Sequence, residues 1–209
     1  MIDKNIFLRI INNLSDSIIE NKELLNELDR PIGDSDHGSN MVRGFTEVKK
    51  KLENVKESDF STILKTIAMA LISTVGGASG PLYGTSFLKA SGAVVGKEEL
   101  DEKDIIAVYE AVIDGIKYRG KSDKGQKTML DAIIPAYEAF KACVENGGDL
   151  KKASDEAQKA AAEGVEYTKT IIAIKGRASF LGERSIGHAD PGATSSYIIL
   201  KSIASVLNE

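Results

Sequence analysis

The stretch Asp29–Met41, DRPIGDSDHGSNM, gathers more charge and more turn-forming residues than a loop needs merely to join two helices. Asp34 and Asp36 lie two residues apart, so a turning backbone can bring both side chains to one point, and Asp29 can fold back to join them. Two carboxylates about 4 Å apart repel by roughly 4 kcal/mol at an effective dielectric constant of about 20. A loop that gathers three of them is therefore either well solvated or neutralised by a cation.

The ligand types in this stretch indicate which cation it would bind. An all-oxygen set favours Mg²⁺ or Ca²⁺, whereas Zn²⁺ favours thiolate or imidazole ligands. Spacing excludes a calcium EF-hand, because counting from Asp34 the fifth position is Gly38 and the twelfth is Phe45. Gly38 to Asn40 lead into an apolar run with helical spacing, so we expect free N–H groups of a helix N-terminus beside the carboxylates. A metal-bound phosphate would fit there.

Composition limits the class of protein. The chain has 209 residues, 42% of them hydrophobic and 28% charged, which predicts one domain over residues 1–209 with a substantial core. A formal net charge of −4 argues against nucleic acid as a partner, because binding to a phosphate backbone favours a basic surface. The N-terminal residues have the pattern of an amphipathic helix, no stretch is long enough to span a membrane, and Cys143 has no second cysteine to pair with. We therefore expect a cytoplasmic protein without a membrane or nucleic-acid partner.

Helical spacing of apolar residues recurs along the whole chain, and no segment shows the alternation typical of a strand. The predicted helices are Asp3–Leu28, Ser39–Leu52, Ser58–Val75, Pro81–Val94, Asp101–Ile116, Thr128–Gly147, Asp149–Ile174 and Pro191–Val206. Thr128 is the expected N-cap of the sixth helix, and Asp190 followed by Pro191 announces the last. Short connections between helices of similar length favour antiparallel neighbours, so the predicted fold class is all-α.

Glycines and charges concentrate in the loops Asp29–Asn40, Gly76–Thr85 and Gly176–Ser195. In an antiparallel array these loops and the loop 118–127 follow the odd-numbered helices and emerge at the same end. Glycine-rich corners also serve simply to turn the chain, but four coinciding loops predict a site at one end of the bundle. The chain has no P-loop and no GxGxxG after a strand, so a nucleotide would be held by metal, helix termini and a fixed charge such as Arg177.

Four segments resemble the nucleotide-binding L subunits of phosphoenolpyruvate-dependent dihydroxyacetone kinases. They are GDSDHGSNM at 33–41, VGGASGPLYGT at 75–85, RGKSDKGQKTMLD at 119–131 and KGRASFLGERSIGHADPGATS at 175–195. The resemblance extends over nearly the whole chain in the same order. It implies an eight-helix antiparallel barrel with the nucleotide site at one end. Ser35 is the one departure, because the family pattern has glycine or alanine there.

The resemblance also implies the site residues. Asp29, Asp34 and Asp36 would hold two Mg²⁺ ions on the phosphates of ADP or ATP. The implied nucleotide contacts are His37, Gly38, Ser39, Asn40, Ala78, Ser79, Gly120, Met129, Arg177, Asp190, Pro191 and Gly192. No catalytic residue is implied beyond the metal ligands, and His37 suits hydrogen bonding better than metal ligation, because hard cations prefer oxygen.

The activity implied by the resemblance is phosphoryl transfer between partner subunits. Tightly held ADP would accept phosphate from a phosphohistidine of an M subunit, and the γ-phosphoryl of the resulting ATP would pass to dihydroxyacetone on a K subunit. In the family, the same domain also forms the C-terminal half of single-chain ATP-dependent kinases. A related domain of fatty-acid kinases has a different sequence in the loop that would hold the metal, Asp29–Asn40. The residues Asp36-His37-Gly38 therefore favour membership of the sugar kinases over the fatty-acid kinases.

Three alternatives remain open from the sequence. One is a phosphohistidine carrier in which His37 or His188 takes the phosphate without a nucleotide. Another is a nucleotide-sensing module that docks to a transcription regulator and performs no chemistry. The third is the L subunit of an ATP-dependent kinase whose nucleotide exchanges freely.

Overall fold

Eight of the helices form a closed ring, and a ninth, short helix lies against it. The computed structural model describes all 209 residues. The α-helices are α1 (Lys4–Glu20), α2 (Lys22–Asp29), α3 (His37–Leu52), α4 (Phe60–Thr74), α5 (Ser79–Ala93), α6 (Glu102–Gly120), α7 (Leu130–Glu145), α8 (Leu150–Thr168) and α9 (Pro191–Leu207), and a 3₁₀ helix covers Arg177–Ser185.

The ring closes because successive helices from α3 to α9 pack against each other and α1 packs against both α3 and α9. The short α2 packs mainly against α3. The chain forms no strand, and its one β-type pairing is an isolated bridge between Ile2 and Leu100. The predicted all-α class is therefore confirmed, with one α-helix and one 3₁₀ helix more than the eight that the sequence indicated.

The additional helix arises because the first predicted helix, Asp3–Leu28, is interrupted at Asn21. The side-chain amide of Asn21 donates to the carbonyl oxygen of Ser17 at 2.8 Å, and its backbone leaves the helical region at φ −90° and ψ 16°. Asparagine competes in this way for backbone hydrogen-bonding groups, which disfavours it inside a helix. The prediction of one continuous helix was wrong for this reason.

The seventh predicted helix, Asp149–Ile174, was too long. The helix ends at Thr168, because hydrogen-bond donors from distant parts of the chain bind to oxygen atoms of Thr168 and of the residues after it. Lys127 Nζ donates to the backbone carbonyls of Thr168 and Ile171, and the backbone N–H of Asp190 donates to Thr168 Oγ1. Tertiary contacts therefore set the end of α8.

The predicted N-cap of the sixth helix was also wrong. The helix α7 begins at Leu130 and its cap position is Met129, which makes no side-chain cap, although Thr128 Oγ1 still accepts the backbone N–H of Leu130 at 3.2 Å. The carboxylate of Asp131 instead accepts the backbone N–H groups of Gly125 and Thr128, at 2.5 and 2.8 Å. The turn before α7 is thus held by Asp131, a residue in the first turn of that helix.

The interior of the ring is apolar. On α1 the buried stripe includes Phe7, Ile10, Leu14 and Ile18, and it joins a continuous core cluster to which every barrel helix contributes. Burying side chains of this size contributes roughly 1.5 to 3 kcal/mol each relative to leaving them exposed. A cavity of about 200 Å³, lined almost entirely by apolar side chains, remains inside the barrel. None of the helices combines the length and the apolar character that crossing a membrane requires.

The closest approach between α7 and α8 is predicted to depend on Gly164. A Cβ added at Gly164 would lie 2.1 Å from the carbonyl oxygen of Asp131, so α7 and α8 would have to separate. We expect Gly164→Ala to lower the free energy of unfolding by about 1 to 3 kcal/mol and the melting temperature by about 2 to 12 °C. Differential scanning fluorimetry measures the change.

Gly92→Ala is the matched control, because Gly92 lies near the end of α5 with no heavy atom within 4 Å of an added Cβ. Alanine is the better helix former, so this variant should be as stable as the wild type or slightly more so. Equal melting temperatures for the two variants would contradict the close packing of α7 on α8.

Candidate functional site

A polar cleft lies where four helices begin at one end of the barrel. The helices α3, α5, α7 and α9 start there, and all four loops that precede them contribute to the lining. The cleft has a volume of about 610 Å³, within the range of small-molecule sites. Each helix N-terminus carries about half a positive charge, so this end of the barrel attracts anions.

Three carboxylates converge in the cleft, one from the last residue of α2 and two from the loop that follows it. Ligand oxygens of Asp29, Asp34 and Asp36 lie within 4.8 Å of one another. Asp29 is buried and accepts the backbone N–H groups of Asp36 and His37 through one oxygen, at 3.0 and 3.3 Å, while Asp34 and Asp36 are exposed. One ligand is thus fixed by the protein, and two face the open cleft.

This donor set fits Mg²⁺, a hard cation that takes oxygen ligands and keeps positions for water and phosphate. Ser35 turns the chain between the two exposed aspartates at φ 64°, a left-handed conformation that costs a non-glycine residue about 1 to 2 kcal/mol. The guanidinium of Arg177 lies 2.9 Å from a carboxylate oxygen of Asp34, so it offsets part of the negative charge.

The start of α3 differs from the expectation of free N–H donors. The helix begins at His37, two residues before the predicted Ser39, and Asp29 already occupies two of its donors. The backbone N–H of Ser39 donates to Asn26 Oδ1 at 2.9 Å, and a Cβ on Gly38 would lie 2.0 Å from the carbonyl oxygen of Lys22. Gly38 and Ser39 therefore pack against α2 and do not line the cleft.

The start of α5 provides open donors instead. Its cap position, Ala78, has no side-chain cap, and Gly77, Ala78 and Ser79 line the cleft. An uncapped helix N-terminus with exposed N–H groups is a ready anion site.

His37 connects three of the converging helices. It is buried, its Nδ1 lies 3.2 Å from Ser79 Oγ on α5, and its Nε2 lies 2.9 Å from Ser195 Oγ on α9. Burial lowers the pKa of His37 to about 4, and Asp29 and Asp36 oppose this shift without overcoming it. A neutral, fully bonded imidazole of this kind is poorly suited to accept a phosphate.

The start of α9 also lines the cleft, through Asp190, Pro191 and Gly192. Asp190 caps this helix by accepting the backbone N–H of Ala193 at 2.7 Å. Desolvation raises the pKa of Asp190, a shift that Asp131 reinforces and Lys127 opposes. The buried Lys127 also donates to the carbonyl of His188 at 2.6 Å, which ties the loop before α7 to the loop before α9.

The structure brings most of the predicted site residues to this one cleft. Those that line it are Asp29, Asp34, Asp36, His37, Asn40, Ala78, Ser79, Gly120, Met129, Arg177, Asp190, Pro191 and Gly192. Gly38 and Ser39 are the two that it does not bring to the lining.

Other lining residues were not predicted as site residues, and four of them carry large polar side chains: Tyr83, Arg119, Lys127 and Lys175. All of them lie within the quoted segments 75–85, 119–131 and 175–195, so an excess of basic residues in those segments was an available signal for the three cations. Nothing in the sequence distinguished Tyr83 from the apolar residues of the core.

Comparisons with known proteins agree with this architecture. The chain matches the family model described as DAK2 domain over residues 31–205. It is 46% identical over 197 residues to the ADP-binding subunit DhaL of PEP-dependent dihydroxyacetone kinase 1 from Listeria innocua, a match that covers 94% of this chain and 93% of that protein. The ADP-binding subunit DhaL of the PEP-dependent dihydroxyacetone kinase of Escherichia coli is 43% identical over 187 residues, covering 90% of this chain and 89% of the subunit.

A solved structure shows the same fold. The chain is similar to the dihydroxyacetone kinase from C. freundii in complex with AMP-PNP and Mg²⁺, with a TM-score of 0.71 and 26% identity. That match covers 94% of this chain and 33% of the kinase, so the chain spans about a third of the kinase's length. This chain therefore belongs to the DAK2 domain family, and the two relatives above that match it over nearly the full length of both chains are ADP-binding subunits of dihydroxyacetone kinases.

Proposed function

We propose that this chain is the ADP- and ATP-binding subunit of a phosphoenolpyruvate-dependent dihydroxyacetone kinase, and that residues 1–209 form one nucleotide-binding domain. The observation that carries the proposal is the cluster of Asp29, Asp34 and Asp36, with ligand oxygens within 4.8 Å of one another, in a cleft where four helices begin. The cytoplasm is the compartment that suits such a subunit.

In this proposal Asp29, Asp34 and Asp36 hold two Mg²⁺ ions. Bound Mg²⁺ would neutralise the phosphates and stabilise the charge that develops during phosphoryl transfer. The protein contributes position: the N–H groups of Asp36 and His37 fix Asp29, and the exposed Asp34 and Asp36 leave room for phosphate oxygens.

The other lining residues divide by polarity. The uncapped start of α5 at Ala78 and Ser79 would donate to phosphate oxygens, and Arg177 would add a fixed positive charge. Leu82, beside Gly120, and Met129, beside Gly192, give the cleft apolar surface that suits a purine ring. Gly38 and Ser39 would then support the metal loop from behind through α2 and make no side-chain contact with the nucleotide.

We propose further that the chain receives a phosphoryl group on its bound ADP from a phosphohistidine of an M subunit and delivers it to dihydroxyacetone held on a K subunit. His37 supports this scheme, because it is the one histidine lining the cleft and both its nitrogens are already hydrogen-bonded. A phosphate carried by this chain would therefore reside on the nucleotide. Phosphoryl transfer needs mainly positioning and charge stabilisation, so no further catalytic side chain is required.

Native mass spectrometry of the purified protein tests the proposal. We expect a mass equal to the chain plus one ADP and two Mg²⁺ ions, and radiolabelled phosphate that moves from a phosphorylated M subunit through extractable nucleotide to dihydroxyacetone when a K subunit is added. A protein that neither retains nor binds ADP would contradict it. Retained ADP without transfer would indicate a nucleotide sensor that docks to a transcription regulator, and freely exchanging ATP would indicate an ATP-dependent kinase.

Loss of a metal ligand should uncouple ADP from Mg²⁺. With free ligand a thousandfold above Kd, binding adds about 4 kcal/mol to the free energy of unfolding, so ADP with Mg²⁺ should raise the wild-type melting temperature by about 8 to 16 °C. We expect ADP alone, Mg²⁺ alone or EDTA with both to give much smaller shifts, because uncompensated carboxylates repel the phosphates. Asp34→Asn and Asp36→Asn should lose most of the joint shift in differential scanning fluorimetry.

Asp114→Asn is the control for charge, since Asp114 is an exposed carboxylate of α6 that does not line the cleft. It should keep the full joint shift. Equal shifts from ADP with and without metal in the wild type would mean that these aspartates do not hold the phosphates through cations.

Removal of Arg177 should weaken nucleotide binding and leave the fold intact. Its side chain is 69% exposed and pairs with Asp34, so it contributes charge to the cleft and little to the core. We expect Arg177→Ala to weaken ADP binding in the presence of Mg²⁺ by about tenfold, as measured by calorimetry, which corresponds to about 1.4 kcal/mol. Arg184→Ala, at an exposed arginine of the same 3₁₀ helix outside the cleft, should bind normally. A destabilised Arg177→Ala protein with unchanged affinity would assign Arg177 a structural role.

A neutral, buried His37 gives the fold a pH dependence of defined sign. Its pKa is lowered from 6.5 to about 4, so the unfolded chain binds a proton at higher pH than the folded chain. The stabilisation is present above pH 6.5 and is lost as the pH falls through the folded pKa of about 4. We expect the melting temperature of the unliganded wild type to fall more steeply over this range than that of His37→Gln. Parallel curves would contradict a neutral, buried His37.

A further inference from the structure

A chain of hydroxyl groups runs behind His37, from the wall of the apolar cavity to the polar cleft. Tyr83 is buried and lines both spaces. Its hydroxyl lies 2.7 Å from Ser195 Oγ and 2.9 Å from Ser196 Oγ. Ser195 Oγ in turn lies 2.9 Å from His37 Nε2, and His37 Nδ1 lies 3.2 Å from Ser79 Oγ.

The acceptors around these hydroxyl groups favour one direction for each of their hydrogen bonds. The carbonyl of Gly192 accepts from Ser196 Oγ at 2.8 Å, and Ser195 Oγ and the Tyr83 hydroxyl lie farther from it, at 3.1 and 3.3 Å. Distance alone lets either oxygen of the Tyr83–Ser195 contact donate, but a phenol is a stronger donor than an aliphatic alcohol, so the favoured arrangement has Tyr83 donating to Ser195 Oγ. Ser195 can then give its own hydrogen to His37 Nε2, which at 2.9 Å lies nearer than the carbonyl of Gly192 at 3.1 Å, already an acceptor for Ser196.

This arrangement leaves the ring hydrogen of His37 on Nδ1, where it is donated to Ser79 Oγ. Ser79 lines the cleft and has no other side-chain partner, so its hydroxyl hydrogen stays available to an anion. With the Nε2–H tautomer, the Ser79 hydroxyl would donate its hydrogen to His37 Nδ1, and only a lone pair of Ser79 Oγ would face the cleft. An anionic phosphate favours a donor and is repelled by a lone pair.

We propose that Tyr83 is a positioning residue that acts through Ser195 to fix the Nδ1–H tautomer of His37 and thereby keeps Ser79 as a hydrogen-bond donor to a nucleotide phosphate. The relevance of this role to binding rests on the proposed nucleotide function. The tautomer itself is a property of the free protein, so it is measured without ligand.

Nitrogen-15 NMR of the histidine rings tests the proposal first. The chain has only two histidines, so their ring signals separate readily, and a His188→Gln variant assigns them. The free wild type is expected to show the Nδ1–H tautomer at His37. Tyr83→Phe keeps the ring and removes the hydroxyl, so it should give a mixture of tautomers or the Nε2–H form.

Calorimetry with ADP and Mg²⁺ tests the consequence. Tyr83→Phe should weaken binding in proportion to the loss of the Nδ1–H tautomer, by about twofold for an even mixture and about tenfold where the Nε2–H form dominates. A double-mutant cycle tests whether Tyr83 affects ADP binding through Ser79. If it does, the variant with both Tyr83→Phe and Ser79→Ala should bind ADP no more weakly than Ser79→Ala alone. Tyr109→Phe is the control, since Tyr109 also lines the apolar cavity but lies outside this chain of hydroxyls.

Three results would overturn the proposal: an Nε2–H tautomer in the wild type, an unchanged tautomer in Tyr83→Phe, or additive losses in the double variant. If Tyr83→Phe does not fold, Ser195→Ala removes the partner of Nε2 directly and must give the same change of tautomer. A wild type that shows the Nδ1–H tautomer but binds no ADP would contradict the proposed nucleotide function and leave the tautomer assignment standing.

Discussion

The alternating direction of the barrel helices is the constraint on which the site depends. Because every second connection returns to the same end, α3, α5, α7 and α9 all begin around one cleft, and the partial positive charges of their N-termini add. A closed ring of packed helices holds these starts in fixed relative positions. The loops can therefore carry aspartate and glycine in place of apolar residues without weakening the core.

Asp29 connects the helical barrel to the acidic cluster of the cleft. It is the last residue of α2 and accepts the N–H groups at the start of α3, so one carboxylate links two helices and also forms the buried member of the acidic cluster. Asp34 and Asp36 then add negative charge that the helix N-termini and Arg177 offset only in part. In the proposed function a bound cation would complete the charge balance, so nucleotide and metal would bind together.

Much of this was visible in the sequence. Helical spacing located the barrel helices, and the concentration of glycine and aspartate in alternate loops indicated which end carries the site. Helix ends set by distant partners were not visible, since Lys127 reaches Thr168 from 41 residues away. Local competition was also missed at Asn21, where a side chain breaks the helix from within. The motif containing Gly38 and Ser39 was recognised as a unit, but only the fold shows that these two face α2 while His37 and Asn40 face the cleft.

The central claim is that Asp29, Asp34 and Asp36 bind nucleotide phosphates through divalent cations. A crystal structure of the protein grown with ADP and Mn²⁺ in place of Mg²⁺ tests it most directly, because manganese is located by its anomalous scattering. The account predicts two anomalous peaks, each coordinated by oxygens of these aspartates and of the ADP phosphates. Phosphates that bind in the cleft with no metal between them and the aspartates, or manganese bound away from this loop, would contradict it.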